Sequence, residues 1–257
     1  MGKQEIMKYK AGFGKKDSLV VLFCIVFLLA GLGAVGSTGR RRAKEAVCAS
    51  NLLKWAVVWK SYTDNHDSYF PPSRPGWYEE PSMMYWLQTM LPYYENPRVS
   101  LCPEATKCFH EGGQPPFVAW CLDDDYPVHM RSSYGINLWA SGYGDCGWDP
   151  QMYWQTPYIR QAPDVPLMFD SNWKDVEPCE SDEPPEYEDY WWQPNANEMK
   201  RVCINRHNGA VNILFFDFSV RKVGLKKLWR LRWHRQWDMT FPLPVWPEWM
   251  QNFEDPE

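Results

Sequence analysis

The sequence predicts an α+β fold in which a long N-terminal helix, first transmembrane and then a helical stem, packs on a small antiparallel sheet with long loops. Three observations predict this fold class. Residues 19–35 carry no charge and are mostly aliphatic or aromatic. Apolar side chains then recur at spacings of four, three, four and three, which places them on one face of a helix; they are Cys48, Leu52, Trp55, Trp59 and Tyr62. Residues 211–223 alternate and turn back as a β-hairpin does.

Length and composition narrow the class of protein. The chain has 257 residues, enough for one large domain or two small ones. Its 27 basic and 32 acidic residues give a formal net charge of −5, which argues against a nucleic-acid partner. Sixteen Trp and 22 Pro indicate an ordered, aromatic domain rich in loops.

The cysteines follow no common zinc pattern. Eight are present, no Cys-x-x-Cys pair occurs, and Cys102 and Cys108 are too far apart for such a motif. Disulfides can form if the chain leaves the cytoplasm. The six cysteines beyond the stem allow fifteen pairings, and the sequence does not choose among these or free thiols.

The N-terminal segment has the features of a retained membrane helix. The uncharged run 19–35 would span roughly 26 Å as a helix, near the lower limit for a bilayer core. Arg40, Arg41 and Arg42 follow it, where a cleaved signal would end in small residues. Glycines near the end of the run allow either close approach of a neighbouring helix or a loose helix end. Asp17, just before the run, is either a solvated flanking charge or a partner for a charge on another subunit.

Gly12, Phe13 and an acid at the fifth position counted from that Phe, Asp17, precede the apolar helix. This arrangement resembles the type IV prepilin N-terminus. The resemblance implies cleavage after Gly12 by a prepilin peptidase, N-methylation of Phe13, and pairing of Asp17 with the N-terminal amine of a neighbouring subunit during assembly. It divides the chain into a leader peptide (1–12), a transmembrane helix (13–38), a helical stem (39–64) and a globular pilin-like domain (65–257).

Later markers extend the resemblance over nearly the whole chain. His207 stands ten positions before Asp217, and both lie in the hairpin segment 207–223. Short motifs occur in a matching order; they are Cys48-Ala49-Ser50-Asn51-Leu52, Leu101-Cys102-Pro103, Ser133-Tyr134-Gly135-Ile136-Asn137 and Leu167-Met168-Phe169-Asp170-Ser171. Together they resemble the H-x9-D-G domain associated with prepilin-type processing in bacterial pilin-like proteins, although Phe218 stands where that family has Gly.

The resemblance implies a function and a location. The chain would be a non-enzymatic pilin-like or pseudopilin-like subunit of a type IV pilus or a type II secretion-type assembly. It would cross the bacterial inner membrane once, with its C-terminal domain in the periplasm or otherwise outside the cytoplasm. Its partners would be prepilin peptidase, other pilin-like subunits and membrane lipid.

The globular region has its own pattern. Helical spacing predicts a short helix over 81–94, and short apolar runs predict strands at 98–102, 118–122, 132–138 and 165–170. In the 211–223 hairpin, Phe218 is a poor residue for a tight turn, so a longer loop or a bulge is expected. The basic, Trp-rich segment 225–257 starts either as a membrane- or partner-docking helix or, as we prefer, as a terminal segment that packs its tryptophans on the domain.

Candidate binding and catalytic residues are few. The acidic run 175–189 is interpreted as a solvated loop, with a calcium site as the alternative; no other cofactor or metal is predicted. We expect His207 to bond to backbone or to Asp217 and to fix the hairpin. Because no Gly-x-Ser-x-Gly motif or activated nucleophile is present, no catalytic residue is assigned. The rival functions are a membrane-anchored, extracytoplasmic Trp-rich glycan-binding module without filament assembly and, less favoured, a hydrolase that uses His207 and Asp217.

Overall fold

The computed structural model describes residues 14–72, 83, 85–122, 130–141, 149–190 and 197–256, with the backbone alone for residues 28–35. The chain divides after Ala43 into an N-terminal unit and a larger unit that begins at Lys44. The leader peptide proposed for residues 1–12 lies outside the described residues. Each unit is considered by itself below.

Two α-helices are present in the described parts. Helix α1 is Lys15–Asp64, 50 residues long, and helix α2 is Trp86–Thr89. Short 3₁₀ turns supply most of the remaining helical structure; they are Leu91–Tyr93, Pro97–Ser100, Phe109–Glu111, Leu138–Ala140, Pro150–Met152, Ala162–Asp164, Glu198–Arg201, Leu225–Arg230 and Glu248–Met250. Prolines occupy the first turn of several of these, where the missing N–H costs no hydrogen bond.

Eight strands lie in the described segments of the larger unit. They are β1 Lys107–Cys108, β2 Val118–Leu122, β3 Met130–Ser132, β4 Tyr134–Asn137, β5 Pro166–Asp170, β6 Asp175–Val176, β7 Ala210–Phe215 and β8 Val220–Gly224. One sheet has the order β1-β2-β3 and the other has the order β6-β4-β5-β7-β8. Each sheet has one parallel pair at an edge, β1·β2 in the first and β4·β6 in the second. All other pairs are antiparallel.

The core lies between the five-stranded sheet and the second half of α1. The predicted helical face is buried, because Cys48, Leu52, Trp55, Trp59 and Tyr62 are all at most 3% exposed. Aromatic rings of this face pack edge to face against rings of other segments. For example, Trp55 lies against Trp86 at a centroid distance of 5.1 Å. The buried strands β5 and β7 supply the other side of this core.

The predicted fold class, a pilin-like α+β fold with one small antiparallel sheet, is wrong. The strands form two sheets, and both sheets are mixed. The parallel pairs depend on β1 and β6, which have only two residues each. Such strands are too short to leave an alternating pattern in the sequence, so the parallel edges were not predictable.

The predicted membrane span is also wrong. Among the residues that the structure describes, no helix combines the length and the apolar composition that crossing a bilayer requires. This finding corrects three predictions. They are the transmembrane helix over 13–38; the prepilin and pseudopilin type of membrane protein, with its pilus or secretion-system setting and methylation; and the single-pass inner-membrane location with a periplasmic domain.

Several elements of the globular region are confirmed. Strands occur at 118–122 and 166–170 nearly as predicted, and β7 and β8 form the expected antiparallel hairpin. The strand expected at 98–102 is instead the 3₁₀ turn Pro97–Ser100, because Pro97 and the side chain of Asn96 start a helical turn there. The tryptophans at 229, 233 and 237 are buried, which confirms that the segment after β8 packs on the domain.

Candidate functional site: a buried Cys-Asp-His cluster

The residues proposed for processing and assembly lie at the start of the chain. Gly12 and Phe13 are outside the described residues. Asp17 is exposed in the first turn of α1, where its Oδ2 accepts a hydrogen bond from the backbone N–H of Gly14 at 3.0 Å. This is the position at which a carboxylate interacts favourably with a helix N-terminus. Its proposed pairing with another subunit stays a prediction.

His207 and Asp217 do not meet. Asp217 is exposed in the turn between β7 and β8, where its Oδ1 accepts hydrogen bonds from the N–H and the hydroxyl of Ser219 at 3.0 and 2.6 Å. Phe218 takes a left-handed φ of 62° in that turn. His207 instead faces Asp170, with 3.1 Å between His207 Nε2 and Asp170 Oδ2.

His207 belongs to a set of four side chains that we call the buried cluster: Cys48, Cys102, Asp170 and His207. Their ligand atoms all lie within 4.8 Å of one another, and all four residues are buried. Cys48 Sγ lies 3.4 Å from Asp170 Oδ1, and Cys102 Sγ lies 3.6 Å from His207 Nε2. The cluster joins α1, the loop after the 97–100 turn, the end of β5 and the segment before β7.

A tight turn holds His207 in place. The N–H of His207 donates to the carbonyl of Ala210 at 3.1 Å, and the two residues between them have positive φ angles, 55° at Asn208 and 77° at Gly209. Asn-Gly is the pair that such a primed turn favours, because both residues accept a left-handed backbone at low cost. The turn therefore fixes His207 immediately before β7.

The carboxylate of Asp170 is fixed from two sides. Arg206 Nη1 donates to Oδ1 at 3.3 Å, and the backbone N–H of Asn212 donates to Oδ2 at 2.8 Å. The side chains of Arg206 and Asp170 are both completely buried. A buried charge is tolerated only when it is paired and hydrogen-bonded, and this pair meets both conditions.

The two cysteines are also oriented by neighbours. The hydroxyl of Tyr134 donates to Cys48 Sγ at 3.3 Å. The backbone N–H of Cys102 donates to the hydroxyl oxygen of Ser133, the residue before β4. The sulfur atoms therefore have defined positions although they lie on segments far apart in the sequence.

The cluster changes the proton affinity of its members. Burial lowers the pKa of His207, but the charge of Asp170 and the hydrogen bonds to Asp170 and Cys102 outweigh it and raise the pKa to about 10. Burial raises the pKa of Cys102, but hydrogen bonds with Cys48 and His207 and the charge of Arg206 bring it down to about 7. Burial, Cys102 and Asp170 raise the pKa of the Cys48 thiol. At neutral pH the cluster thus holds a charged imidazolium beside Asp170 and a readily ionised thiol at Cys102.

The four cluster residues are buried, each at most 4% exposed. Within the part of the chain that the structure describes, three surface cavities of about 260, 530 and 100 Å³ are lined by none of them. The four side chains are close enough together to bind one small ion.

The sequence patterns include all four of these positions but do not predict their association. They predict that His207 bonds to backbone or to Asp217, and they place Asp170 only in a family-like motif. Arg206 was missed altogether. Its only signal in the sequence was its place beside His207, directly before the apolar strand that became β7.

The acidic side chains of the run 175–189 have different partners. Asp175 pairs with Lys174, Glu186 pairs with Lys200 at 2.6 Å, and Asp182 accepts hydrogen bonds from two backbone N–H groups. The clusters of three or more ligand atoms found among the described residues do not include this run. The calcium alternative stays a prediction.

Among the described cysteines one disulfide is formed, Cys108–Cys121, and it connects the paired strands β1 and β2. The cysteines at 24, 48, 102, 179 and 203 are free. Because Cys108 is already bonded, the neighbouring group of Cys108, His110 and Glu111 lacks a free thiolate for a metal.

Most of the described tryptophans are buried. Nine of the described ones are buried; they are Trp55, Trp59, Trp86, Trp120, Trp139, Trp154, Trp229, Trp233 and Trp237. Trp173, Trp246 and Trp249 are partly buried against the same core. A sugar needs an open indole face for stacking, and no tryptophan in the described ranges is exposed.

Comparison of the chain with protein-family models, curated proteins and solved structures found no match. The resemblance to prepilin-like proteins therefore stays a prediction, and the functional argument depends on the geometry of the chain itself.

Proposed function

We propose that the chain is a non-enzymatic structural subunit that assembles with other copies of itself through the N-terminal part of α1. The observation that carries the proposal is the exposed apolar stretch 19–27. Its large apolar side chains are between 44% and 72% exposed. A helix that is apolar on all sides is normally buried on all sides.

The stretch is apolar around the whole helix. Nine consecutive positions cover about two and a half turns, so no polar face is left for solvent. A contiguous apolar surface of this kind is typical of an interaction site rather than of a free monomer surface. Burial of the eight large side chains would contribute on the order of 10 kcal/mol per chain before the cost of association is subtracted.

Features on either side of the stretch favour a second copy as the occupant. Gly36 and Gly39 have no atom within 4 Å of an added Cβ, so this face of α1 is open to close approach by another helix. Asp17 lies before the stretch beside Lys15 and Lys16, and three exposed arginines, Arg40, Arg41 and Arg42, lie after it. Asp17 is thus the acid that an arginine of a neighbouring copy could pair with. Assembly is also the role that the pilin resemblance implies, and the proposal includes no membrane span.

Two observations support the non-enzymatic part of the proposal. The Cys-His pair of the cluster is buried, and His207 and Asp217, the pair that the hydrolase rival requires, do not meet. The glycan-binding rival receives no comparable support from the described residues, because none of the tryptophans among them is exposed.

Sedimentation velocity of the full chain in aqueous buffer, over a concentration series, tests the proposal. We expect concentration-dependent oligomers or filaments, the latter visible by negative-stain electron microscopy. Val26→Glu should abolish them, because a charge in a packed helix interface is left without a partner. Val57→Glu is the matched control: Val57 is 67% exposed on the same helix but lies outside the stretch, so its oligomers should be unchanged.

A wild-type chain that stays monomeric throughout the series would refute the proposal. So would equal behaviour of the Val26→Glu and Val57→Glu variants. Circular dichroism of both variants shows whether each retains the helix content that the comparison requires.

A further inference from the structure

The buried cluster has the composition of a transition-metal site. Two cysteines, a histidine and an aspartate bring two sulfurs, one nitrogen and a carboxylate oxygen to one point. We propose that Cys48, Cys102, Asp170 and His207 bind a single Zn²⁺ ion as a closed, four-coordinate structural site. The inference does not depend on the assembly of copies proposed above.

The distances fit tetrahedral coordination. Zn–S bonds near 2.3 Å and Zn–N and Zn–O bonds near 2.0–2.1 Å place the ligand atoms roughly 3.4–3.8 Å apart around the ion. With Asp170 Oδ2 as the carboxylate ligand, the observed separations are 3.6 Å from Cys48 Sγ to Oδ2 and 3.6 Å from Cys102 Sγ to His207 Nε2. His207 Nε2 and Asp170 Oδ2 are 3.1 Å apart, so a shift of a few tenths of an ångström would open this edge to accept the ion.

Charge balance favours a divalent ion. Two thiolates, one carboxylate and a neutral imidazole around Zn²⁺ leave one excess negative charge. Arg206, whose side chain is completely buried and lies 3.3 Å from Asp170 Oδ1, neutralises that charge. The thiol protons and any imidazolium proton leave to solvent when the ion binds, as at other thiolate sites. The resulting site carries no net charge in the interior, where an uncompensated charge is most costly.

Neighbouring groups hold the ligands in the way that metal sites require. The N–H of Asn212 and the guanidinium of Arg206 fix the carboxylate of Asp170, and the hydroxyl of Tyr134 donates to Cys48 Sγ. Such outer contacts set the orientation of the ligands and limit the alternatives available to them.

The ligands come from four distant segments. A bound ion would connect α1 to the end of β5 and to the start of β7, across sequence separations of 122 between Cys48 and Asp170 and 105 between Cys102 and His207. Such a site forms only in the folded chain, so its binding free energy adds to folding stability. The structural consequence would be a strong link between the helix and the sheet.

Titration of the reduced, metal-free full chain with Co²⁺ tests the site, because Co²⁺ takes the same geometry and reports thiolate ligands by absorption. We expect saturation at one equivalent, with a thiolate-to-cobalt charge-transfer band in the near ultraviolet and the visible bands of a tetrahedral ion. One equivalent of Zn²⁺ should remove these bands. In a thermal melt, Zn²⁺ should raise the midpoint, and a chelator should reverse the rise.

Variants assign the ligands. Cys102→Ser should lower the charge-transfer intensity by about half and weaken Zn²⁺ binding at least tenfold. The Cys108→Ser/Cys121→Ser double variant removes the other sulfur pair, and Cys203→Ser removes a buried free thiol next to Met250. Both controls should keep the full spectrum and one equivalent of metal.

The wild-type spectrum makes the test independent of whether any variant folds. Lack of the charge-transfer band in the folded wild-type chain would overturn the proposal, and so would full intensity in Cys102→Ser. Peptide mapping of the chain isolated without reductant supplies another check. A Cys48–Cys102 disulfide there, together with failure of the reduced chain to bind Co²⁺, would show that the two sulfurs form a covalent link instead.

Discussion

Arg206 donates hydrogen bonds from all three nitrogens of its guanidinium group while its side chain is completely buried. Besides Asp170, its acceptors are four backbone carbonyls; they belong to Pro116, Ser133, Val118 and Ser171. The planar fork of an arginine matches several acceptors at once, which a lysine ammonium does not. This one side chain therefore satisfies backbone groups of three segments around the cluster and neutralises Asp170.

Replacement of Arg206 should be severe. We expect Arg206→Met to lower the free energy of unfolding by about 3–5 kcal/mol, because it leaves Asp170 charged, buried and short of a partner. Arg206→Lys keeps the charge but not the fork, and it should lose about 2 kcal/mol. Urea unfolding monitored by circular dichroism measures both. Arg98→Lys, at an exposed position, is the control and should change stability by less than about 0.5 kcal/mol; equal losses for Arg98→Lys and Arg206→Lys would contradict this account.

Glu198 makes the folding stability of the chain depend on pH. Burial raises its pKa, Arg201 lowers it, and the charges of nearby carboxylates raise it further, to about 7. Because the folded pKa lies above the unfolded value, the stability that Glu198 contributes is present below about pH 4.5 and is lost as the pH rises to about 7. Since 27% of the side chain is exposed, we take the loss as about 2 kcal/mol.

The matched test compares Glu198→Gln with the wild-type chain at pH 4.5 and pH 8. The neutral amide resembles the protonated acid, so the variant should lose about 2 kcal/mol less stability over this range. Chemical unfolding at the two pH values measures the difference. Glu183→Gln removes an exposed carboxylate of the same acidic run and should keep the wild-type dependence. Parallel curves for the wild-type chain and Glu198→Gln would count against the assigned cause.

The residues of the candidate site show what a sequence does and does not predict. The helical period placed Cys48 on a buried face, and the apolar strand pattern placed His207 at a strand entrance. Neither pattern specifies which polar group lies opposite in the folded chain. The pairing of His207 with Asp170 instead of Asp217 is set by the packing of β5 against β7, which is a tertiary property.

At the scale of elements, β4 depends on a close approach that only glycine permits. A Cβ added at Gly135 would lie 2.5 Å from the carbonyl oxygen of Trp173 and 2.8 Å from Cβ of Ser171. Gly135 pairs with Phe169 on one side, and the next residue, Ile136, pairs with Asp175 of β6 on the other. The missing side chain therefore lets the segment before β6 pass close to β4 and form the parallel edge.

Gly135→Ala should therefore lower the free energy of unfolding by about 2 kcal/mol, since backbone atoms would have to move to accommodate the methyl group. Gly224→Ala is the matched control, because the space around Gly224 is open and its φ of −61° suits any residue. Urea midpoints with unchanged m-values would measure both effects. A tolerated Gly135→Ala would mean that the β4–β6 pairing is looser than the structure indicates.

Longer strands were easier to predict from the sequence than shorter ones. The five-residue strands β2 and β5 and the β7–β8 hairpin leave clear apolar patterns. The two-residue strands β1 and β6 and the 3₁₀ turns do not, because side-chain hydrogen bonds and prolines specify them more than periodicity does. The mixed character of both sheets follows from these short pieces, which is why the antiparallel prediction failed.

At the scale of the molecule, the buried core and the stretch proposed for assembly lie in different parts of the chain. Every buried residue in the described ranges lies at Cys48 or later. The division of the chain after Ala43 separates the same two parts. The exposed apolar stretch 19–27 lies in the N-terminal unit, and the proposed assembly of copies would explain its sequence.

A truncated chain that begins at Lys44 tests this separation. We expect its free energy of unfolding, measured by urea unfolding, to lie within about 0.5 kcal/mol of the wild-type value, because every described buried side chain is retained. Its one equivalent of Zn²⁺ should also remain, because all four cluster residues lie beyond the cut. Only the oligomers should disappear, as measured by sedimentation velocity. Loss of folding with the truncation would show that the larger unit depends on residues before Lys44, whereas persistent oligomers would place the contact between copies on the larger unit.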